Sequence, residues 1–242
     1  LIKIVNQCKK MKNNIKLYID GPKLEEINRD YNVNIDGYTF NPSLFKKNGA
    51  KDYLGYSKEI LNNCSNKPVS LEVFADDKTG MIEQGMKLHS LSENVYVKIP
   101  ITFTNSESTI SVIRELLNQE VKLNITAIFT LDQIKKIIEV VQNSETILSI
   151  FAGRIYDCGI NAKKKVKEMN EFIRENSKCK SLWASTRMPY DYVTASEIKT
   201  DIITMQISHI EKLKMFGFDL NEYSLKTVKQ FYDDAKSSGF KI

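Results

Sequence analysis

The chain of 242 residues lacks several features that would place it in a common functional class. It has no Cys-x-x-Cys pair, and its cysteines have no histidine nearby at a spacing suited to a metal, so we predict no metal site. These cysteines are Cys8, Cys64, Cys158 and Cys179. Their arrangement is most simply explained by a reducing compartment. A glycine-rich loop of the GxGxxG or GxxxxGK type is also absent. This absence counts against an open doubly wound sheet, which normally carries such a loop after an early strand.

Long apolar runs and concentrated basic blocks are missing as well. No apolar run approaches the ~18 residues of a membrane span, and residues 1–12 lack the apolar stretch and cleavage site of a signal peptide. We therefore expect a soluble, cytoplasmic protein with no membrane partner. Lysine and arginine total 35 against 30 acidic residues, a difference of 35 − 30 = 5. The run at 163–165 precedes Val166 and Met169 at helical spacing, which indicates the solvated start of an amphipathic helix rather than a nucleic-acid interface.

Short apolar runs alternate along the chain with longer stretches of helical period. Strands are predicted at 16–20, 34–38, 69–74, 95–99, 121–126, 147–152, 181–185 and 202–206. The clearest helices between them are predicted at 108–118, 131–142 and 163–176. Eight strands separated by such helices predict an α/β protein with a closed parallel (β/α)8 barrel, the TIM barrel. No linker composition divides residues 1–242, so a single domain is expected.

A further helix is predicted at about 224–237, after the eighth strand. It carries Leu225, Val228, Phe231 and Tyr232 on one face. Such an apolar face needs a cover, so this helix either closes the barrel or docks on a neighbouring subunit. The second alternative makes a homo-oligomer possible.

Lys98 lies near the end of the apolar strand at 95–99. Burial disfavours a charged amine, and a neutral lysine can attack a carbonyl carbon to form a Schiff base. The structural alternative is a strand-end lysine whose stem covers apolar surface while its ammonium reaches water.

The alternation of polar and apolar residues along the strands favours the catalytic interpretation of Lys98. Successive strand residues point to opposite faces, and the helix-facing side of a parallel barrel must be apolar. Polar residues fall on the other side, near the strand ends where barrel active sites are built. The inward set predicted in this way consists of Asp20, Glu72, Lys98, Asn124 and Thr126.

Several segments occur in the order found in one enzyme family. Residues 36–44, DGYTFNPSL, resemble the transaldolase signature G-x-T-T-N-P-S-L, and residues 97–100, VKIP, resemble the segment that carries the Schiff-base lysine. Three strand segments are similar to those holding the catalytic aspartate, the glutamate and an Asn-Thr pair: LYID at 17–20, SLEV at 70–73 and LNIT at 123–126. Two further segments resemble the phosphate-binding parts: SIFAGR at 149–154 and ASTR at 184–187. The resemblance therefore covers the chain from about residue 16 to its last helix.

The resemblance implies a role for each matching residue. Lys98 would form the Schiff base with a ketose, Glu72 would move protons through a water held by Thr126, and Asp20 would act on the C4 hydroxyl. The implied substrate-binding residues are Thr39, Asn41, Asn124, Ser149, Phe151, Arg154, Ser185 and Arg187. The two arginines would bind the phosphate of sugar phosphate substrates, and the chemistry requires no cofactor. Two structural alternatives stay open: Glu72 as a carboxylate that pairs with Lys98 for stability alone, and Asn41 as a residue that turns the chain before Pro42.

Three positions bear on which reaction of the family is catalysed. Phe40 replaces the second threonine of the signature, and we expect it to narrow or reshape the pocket beside Asn41. Glu72 and Phe151 are the transaldolase-like choices, whereas the similar fructose-6-phosphate aldolases carry glutamine and tyrosine there. The resemblance thus implies transfer of a dihydroxyacetone unit between sugar phosphates. The alternatives are an aldolase that releases free dihydroxyacetone, a biosynthetic relative that acts on an unusual sugar, and a sugar-phosphate-binding barrel without turnover.

Overall fold

The computed structural model describes residues 15–241 as a closed barrel of eight parallel strands followed by a long helix. The strands pair in chain order, and β1 also pairs with β8. Their bounds are β1 Lys16–Asp20, β2 Gly37–Thr39, β3 Val69–Glu72, β4 Val95–Pro100, β5 Leu123–Ile128, β6 Ile147–Ile150, β7 Lys180–Trp183 and β8 Ile202–Met205. The predicted (β/α)8 fold is thereby confirmed. Cys8 and the segment 1–12, assessed above for a signal peptide, lie outside the described residues.

Helices follow the strands around the outside of the barrel. Their bounds are α1 Pro42–Lys47, α2 Tyr53–Asn63, α3 Lys78–His89, α4 Ile110–Asn118, α5 Leu131–Val141, α6 Ala152–Asp157, α7 Ala162–Asn176, α8 Asp191–Glu197 and α9 Ile207–Ile210, with short 3-10 turns at Leu24–Glu26 and Glu211–Met215. The three clearest predicted helices correspond to α4, α5 and α7. None of the helices within residues 15–241 has both the length and the apolar character needed to cross a bilayer.

Several predicted strands differ from the structure in their bounds, and two of these differences bear on the site. β2 begins at Gly37 rather than at residue 34, and the Asp36 side chain just before it accepts the Leu17 amide. β5 continues to Ile128, two residues past the predicted end. Its pairing with β6 shifts by one residue between Ile125 and Ile128, which is a β-bulge.

The interior of the barrel changes character along its axis. Inside the barrel an apolar cluster consists of Tyr18, Ile147, Leu182, Ala184 and Ile202, with Tyr96 and Phe151 packed against it. The polar residues of the candidate site share this inward side, toward the carboxyl ends of the strands. The opposite faces of the strands are apolar and buried beneath the helices, as Val97, Ile125 and Trp183 illustrate. The apolar residues thus form the core, and the polar residues toward the carboxyl ends of the strands are the candidates for a functional site.

Within the described residues, 15–211 belong to one compact unit and 212–241 belong to a second. Within the second unit α10, Leu220–Ser238, begins at an Asp219 cap and ends at Gly239 in the left-handed conformation. The predicted final helix is thus present and longer than expected. Its apolar side chains Leu225, Val228, Phe231 and Tyr232 are more than half exposed. Closure of the barrel and docking on another subunit both stay predictions.

Candidate active site

Lys98 lies inside the barrel on β4, and only 6% of the residue is exposed. Its Nζ lies 2.8 Å from a carboxylate oxygen of Glu72 and donates to the Phe40 carbonyl oxygen at 3.3 Å. The pairing follows from strand register, because Glu72 on β3 lies beside Lys98, which in turn lies beside Asn124 on β5. An amine in this position has an internal group that can accept its proton at contact distance.

Asp20 ends β1 and is held by a chain of two hydroxyl groups. Thr39 donates to the Asp20 carboxylate at 2.8 Å, and its Oγ1 lies 2.6 Å from Thr204 Oγ1. Since the single Thr39 proton points at Asp20, Thr204 must donate to Thr39. Burial raises the pKa of Asp20, while the nearby Lys98 charge and the Thr39 hydrogen bond partly oppose this rise. A carboxylate so placed is suited to take up a proton.

Asn124 is fully buried and joined to two serines across the barrel. Its Oδ1 accepts from Ser149 at 2.6 Å, and its Nδ2 donates to Ser70 at 2.9 Å. Both ends of the amide are therefore oriented by neighbouring strands. One of the two amide hydrogens is not used in this chain of hydrogen bonds.

Thr126 lies at the bulge of β5, two residues after Asn124 on the same side of the strand. Its Oγ1 is buried and forms no hydrogen bond with any group in the described part of the chain. The next residue, Ala127, has φ of +59°, a left-handed conformation that costs a non-glycine residue roughly 1–2 kcal/mol. Bulges of this kind are frequent beside active sites, where they redirect a side chain. The strain at Ala127 accompanies the unbonded, buried hydroxyl of the preceding residue.

The predicted phosphate-binding residues lie after β6 and β7. The Arg154 guanidinium stacks over the Phe151 ring at 5.2 Å, and Phe151 covers the apolar cluster of the barrel interior. Arg187 donates through Nη1 to the Ser185 carbonyl at 2.9 Å and to the Ser185 hydroxyl at 3.0 Å. Ser185 has φ of +64°, so the chain turns sharply there and presents its hydroxyl beside the guanidinium.

A carboxylate, Asp157, occupies the other edge of Arg187. It accepts from Arg187 Nε and Nη2, a bidentate ion pair. The hydrogen bonds from Arg187 hold the pKa of Asp157 below its usual range, and the charge of Arg154 acts in the same direction. The structure thus brings the two predicted arginines together, but around an acidic side chain that the sequence interpretation did not include.

The loops that carry these two arginines touch at Gly153. A Cβ atom at this position would lie 1.6 Å from the Ser185 carbonyl oxygen, a distance that no side chain tolerates. Glycine is therefore required here so that the start of α6 can pack against the end of β7. This contact fixes the relative placement of Arg154 and Arg187.

Two sequence-based expectations change in the structure. The Phe40 ring is completely buried and packs edge-on against Phe45 of α1 at 5.4 Å, in the helix layer. Phe40 therefore does not narrow the pocket with its side chain as expected, because strand alternation directs Thr39 inward and Phe40 outward. Asn41 caps α1, because its Oδ1 accepts the Leu44 amide. This oxygen therefore has the structural role given above as the alternative, in which Asn41 turns the chain before Pro42.

Four residues at the site escaped the sequence interpretation or received no role in it: Tyr53, Ser70, Asp157 and Thr204. Ser70 and Thr204 could have been found, since both share the inward side of their strands with predicted site residues. Asp157 lies one helical turn after Arg154, a spacing that is common on any helix. Nothing local distinguishes Tyr53, whose hydroxyl contacts the main chain of Glu72.

The geometry of the barrel mouth by itself indicates a class of enzyme. A parallel barrel with a buried lysine and two carboxylates at the carboxyl ends of its strands is the arrangement of the aldolase type of barrel enzyme. The chain belongs to the Transaldolase/Fructose-6-phosphate aldolase family, whose model matches residues 17–242. The predicted resemblance is confirmed, and with it an enzyme of the aldolase and transaldolase kind.

Curated relatives agree with this family over most of their length. The chain is similar to a "Probable transaldolase" of Bdellovibrio bacteriovorus, with 31% identity over 91% of this chain and 97% of the relative. It is also similar to a protein of the same description from Thermoplasma volcanium, with 30% identity over 82% of this chain and 87% of the relative.

Among solved structures, the fold is similar to tryptophan synthase subunit alpha from Campylobacter jejuni, with a TM-score of 0.58 at 11% identity. That match covers 84% of this chain and 95% of the other. At such low identity the similarity concerns the barrel fold alone.

Proposed function

We propose that the protein is a transaldolase that transfers a dihydroxyacetone unit from a ketose phosphate to an aldose phosphate through a Schiff base on Lys98. The observation that carries this proposal is the buried Lys98 amine at 2.8 Å from the Glu72 carboxylate, inside a barrel of this family. A sugar-phosphate-binding protein without turnover would gain nothing from an internal base at that distance. A purely structural ion pair would not need a second carboxylate, Asp20, near Lys98.

The proton transfers can be assigned to residues on the inward side. Lys98 releases a proton toward Glu72 and adds to the C2 carbonyl, and the resulting carbinolamine loses water to give an iminium. Glu72 supplies the proton for that departing water through a water molecule held by the unbonded Thr126 hydroxyl. Asp20 then removes the C4 hydroxyl proton while the C3–C4 bond breaks. The electron pair of the C3–C4 bond moves toward the iminium and converts it to an enamine, and an aldose leaves.

The second half-reaction reverses these steps with another aldehyde. The enamine attacks the acceptor carbonyl, Asp20 returns its proton to the new alkoxide, and hydrolysis of the iminium frees Lys98. The raised pKa of Asp20 supports this role, because the carboxyl must both take and return a proton near neutral pH.

Substrate groups are assigned to polar side chains around the barrel mouth. The Asn124 amide, oriented by Ser149, is proposed to bind a hydroxyl of the three-carbon unit, and Asn41 to do so through its amide nitrogen. Thr39 acts mainly by holding Asp20. Arg154, Arg187 and the Ser185 hydroxyl are proposed to bind the phosphate, because guanidinium groups match phosphate oxygens in geometry and charge. A cytoplasmic location and a homo-oligomer stay predictions.

Trapping of the Schiff base tests the mechanism directly. Borohydride with a ketose phosphate donor should give a stable covalent adduct on Lys98, located by mass spectrometry of the digested protein. Lys98→Ala should give no adduct and lose turnover, whereas Lys122→Ala, which removes an exposed lysine just before β5, should behave as wild type. An adduct on another lysine, or none with an active donor, would contradict the proposal.

The phosphate assignment is tested by comparing donors. Arg154→Ala or Arg187→Ala should raise the KM of a phosphorylated donor by the equivalent of about 1.5–3 kcal/mol, the usual range for a charge-assisted hydrogen bond. An unphosphorylated donor should be affected little. Equal losses for both donors would count against phosphate binding at these arginines.

The alternative function, a fructose-6-phosphate aldolase, is distinguished by the fate of the enamine. Phe151 offers no hydroxyl to orient a water that would protonate the enamine, so the intermediate should wait for an acceptor aldehyde. Little free dihydroxyacetone should form from the donor alone, and an acceptor should accelerate aldose release. Phe151→Tyr should shift the balance toward free dihydroxyacetone. Equal dihydroxyacetone production by the wild type with and without acceptor would favour the aldolase.

A further inference from the structure

Regular pairing between β2 and β3 ends one step before the catalytic end of β3. The last ladder hydrogen bond runs from the Phe40 amide to the Ser70 carbonyl at 2.9 Å. Continuing the ladder would pair the Glu72 amide with the Phe40 carbonyl, and the Glu72 carbonyl with an amide at position 42. Residue 42 is a proline and has no amide hydrogen, while the Phe40 carbonyl accepts from Lys98. Strand β2 therefore offers no partner to the main chain of Glu72.

The hydroxyl of Tyr53 takes the place of both missing partners. It accepts from the Glu72 amide at 3.0 Å and donates to the Glu72 carbonyl at 2.7 Å. Burial raises the pKa of the Tyr53 phenol, so the group keeps the proton that it donates. One side-chain atom thus closes the gap between two strands at the residue whose carboxylate pairs with Lys98.

Aromatic packing holds the Tyr53 ring in this position. Tyr53 is the first residue of α2, directly after the Asp52 cap. Its ring lies 4.4 Å from the Phe45 ring and 5.3 Å from the Phe74 ring, measured between centroids. The start of a helix and two rings from flanking segments therefore fix the hydroxyl with little freedom.

We propose that Tyr53 is a positioning residue for the Lys98–Glu72 pair. By satisfying both main-chain groups of Glu72, it fixes the end of β3 so that the carboxylate stays in reach of the amine. The inference rests on the proposed role of Glu72 in proton transfer, and it goes beyond that role by naming the group that holds Glu72 in place.

The test compares two tyrosines of the same helix. Tyr53→Phe removes the hydroxyl and keeps the ring contacts. Tyr56→Phe is the matched control, because the Tyr56 ring also packs on Phe45, at 4.9 Å, but its hydroxyl bonds to Asn48 rather than to Glu72. Both variants should show a single cooperative melting transition above the assay temperature. Loss of that transition in Tyr53→Phe would assign a purely structural role to its hydroxyl and overturn the inference.

The readouts are steady-state constants and the single-turnover rate of borohydride-trapped imine formation. Tyr53→Phe should lower kcat and the trapping rate by about tenfold to a hundredfold, the usual cost of a slightly misplaced catalytic group. The KM of the donor should change by no more than about twofold, because Glu72 acts on protons rather than on substrate binding. Tyr56→Phe should change neither. Equal effects of the two substitutions, or an effect of Tyr53→Phe on KM alone, would overturn the inference.

A double-substitution cycle separates this inference from the proposed function. In a Glu72→Gln background, Tyr53→Phe should change the trapping rate, followed over hours, by less than about twofold, since the group it positions is gone. The same tenfold loss in that background would show that Tyr53 acts elsewhere. Full activity of Glu72→Gln alone would instead contradict the role of Glu72, and the positioning role with it.

Discussion

Replacing Lys98 with methionine should lower the free energy of unfolding, because two carboxylates of the candidate active site lose their cation. Methionine keeps most of the apolar stem and removes the charge. Two carboxylates, Asp20 and Glu72, would then face the barrel interior without the cation that now lies beside them. Turnover should be lost, and stability should fall for a separate reason, namely two like charges left without a partner.

The size of the stability loss follows from burial. Removing one partner of a fully buried pair costs about 3–5 kcal/mol, but the Glu72 side chain is 20% exposed and water screens part of its charge. We therefore expect Lys98→Met to lower the free energy of unfolding by about 2–4 kcal/mol at pH 8. The loss should shrink at pH 5, because burial raises the pKa of Asp20 and its protonation removes part of the uncompensated charge.

Urea titration at both pH values measures this effect. Lys163→Met is the matched control, since Lys163 and Glu197 also pair at 2.7 Å but are about half exposed, and such a pair contributes little. A second substitution, Glu72→Gln in the Lys98→Met protein, should restore part of the lost stability. If Lys98→Met were as stable as Lys163→Met at pH 8, the electrostatic account of the site would be wrong.

Three further outcomes are expected. Asp20→Asn should abolish turnover yet melt at a higher temperature than wild type at pH 8. Its raised pKa means that the folded state binds more protons than the unfolded state, so the wild type loses stability as pH rises through the pKa of folded Asp20. The melting-temperature gain of Asp20→Asn over wild type should therefore be larger at pH 8 than at pH 4. An equal gain at both pH values would refute this. Asp157→Asn should strengthen inhibition by inorganic phosphate severalfold, because it removes a negative charge next to Arg187; unchanged or weaker inhibition would show that Asp157 orients the guanidinium instead. Gly153→Ala should destabilise the protein by about 1–3 kcal/mol, the range for overpacking, because its Cβ would meet the Ser185 carbonyl. A melting temperature like that of wild type would refute the close contact.

The barrel itself could be predicted because its pattern is local. A parallel barrel strand shows its apolar face to the helices at every second residue, and the helices repeat with a period of 3.6. Each prediction needs only a window of neighbouring residues. The same alternation directed Asp20, Glu72 and Lys98 inward, and the described strands confirm that orientation. Errors arose where a strand began later than its apolar pattern, as after Asp36, or where a bulge extended it, as at Ala127.

The partners of these side chains could not be predicted, because they come from distant parts of the chain. Thr204 reaches Thr39 across 165 residues, and Arg187 meets Asp157 across 30. Sequence identifies an inward threonine or an exposed aspartate but does not say which strand end it will face. The ion pair on Arg187 depends on how two loops pack, and the contact at Gly153 decides that packing.

The sequence by itself determined the fold class, the inward position of Lys98 and the family to which the chain belongs, since these depend on period, strand alternation and ordered short motifs. Only the tertiary structure decided that Asp157 holds one arginine, and that the Tyr53 hydroxyl replaces the missing β2 partners of the Glu72 main chain. Closing the barrel brings the ends of eight separate strands to one mouth. The contacts made there depend on three-dimensional register, which no local window of sequence contains.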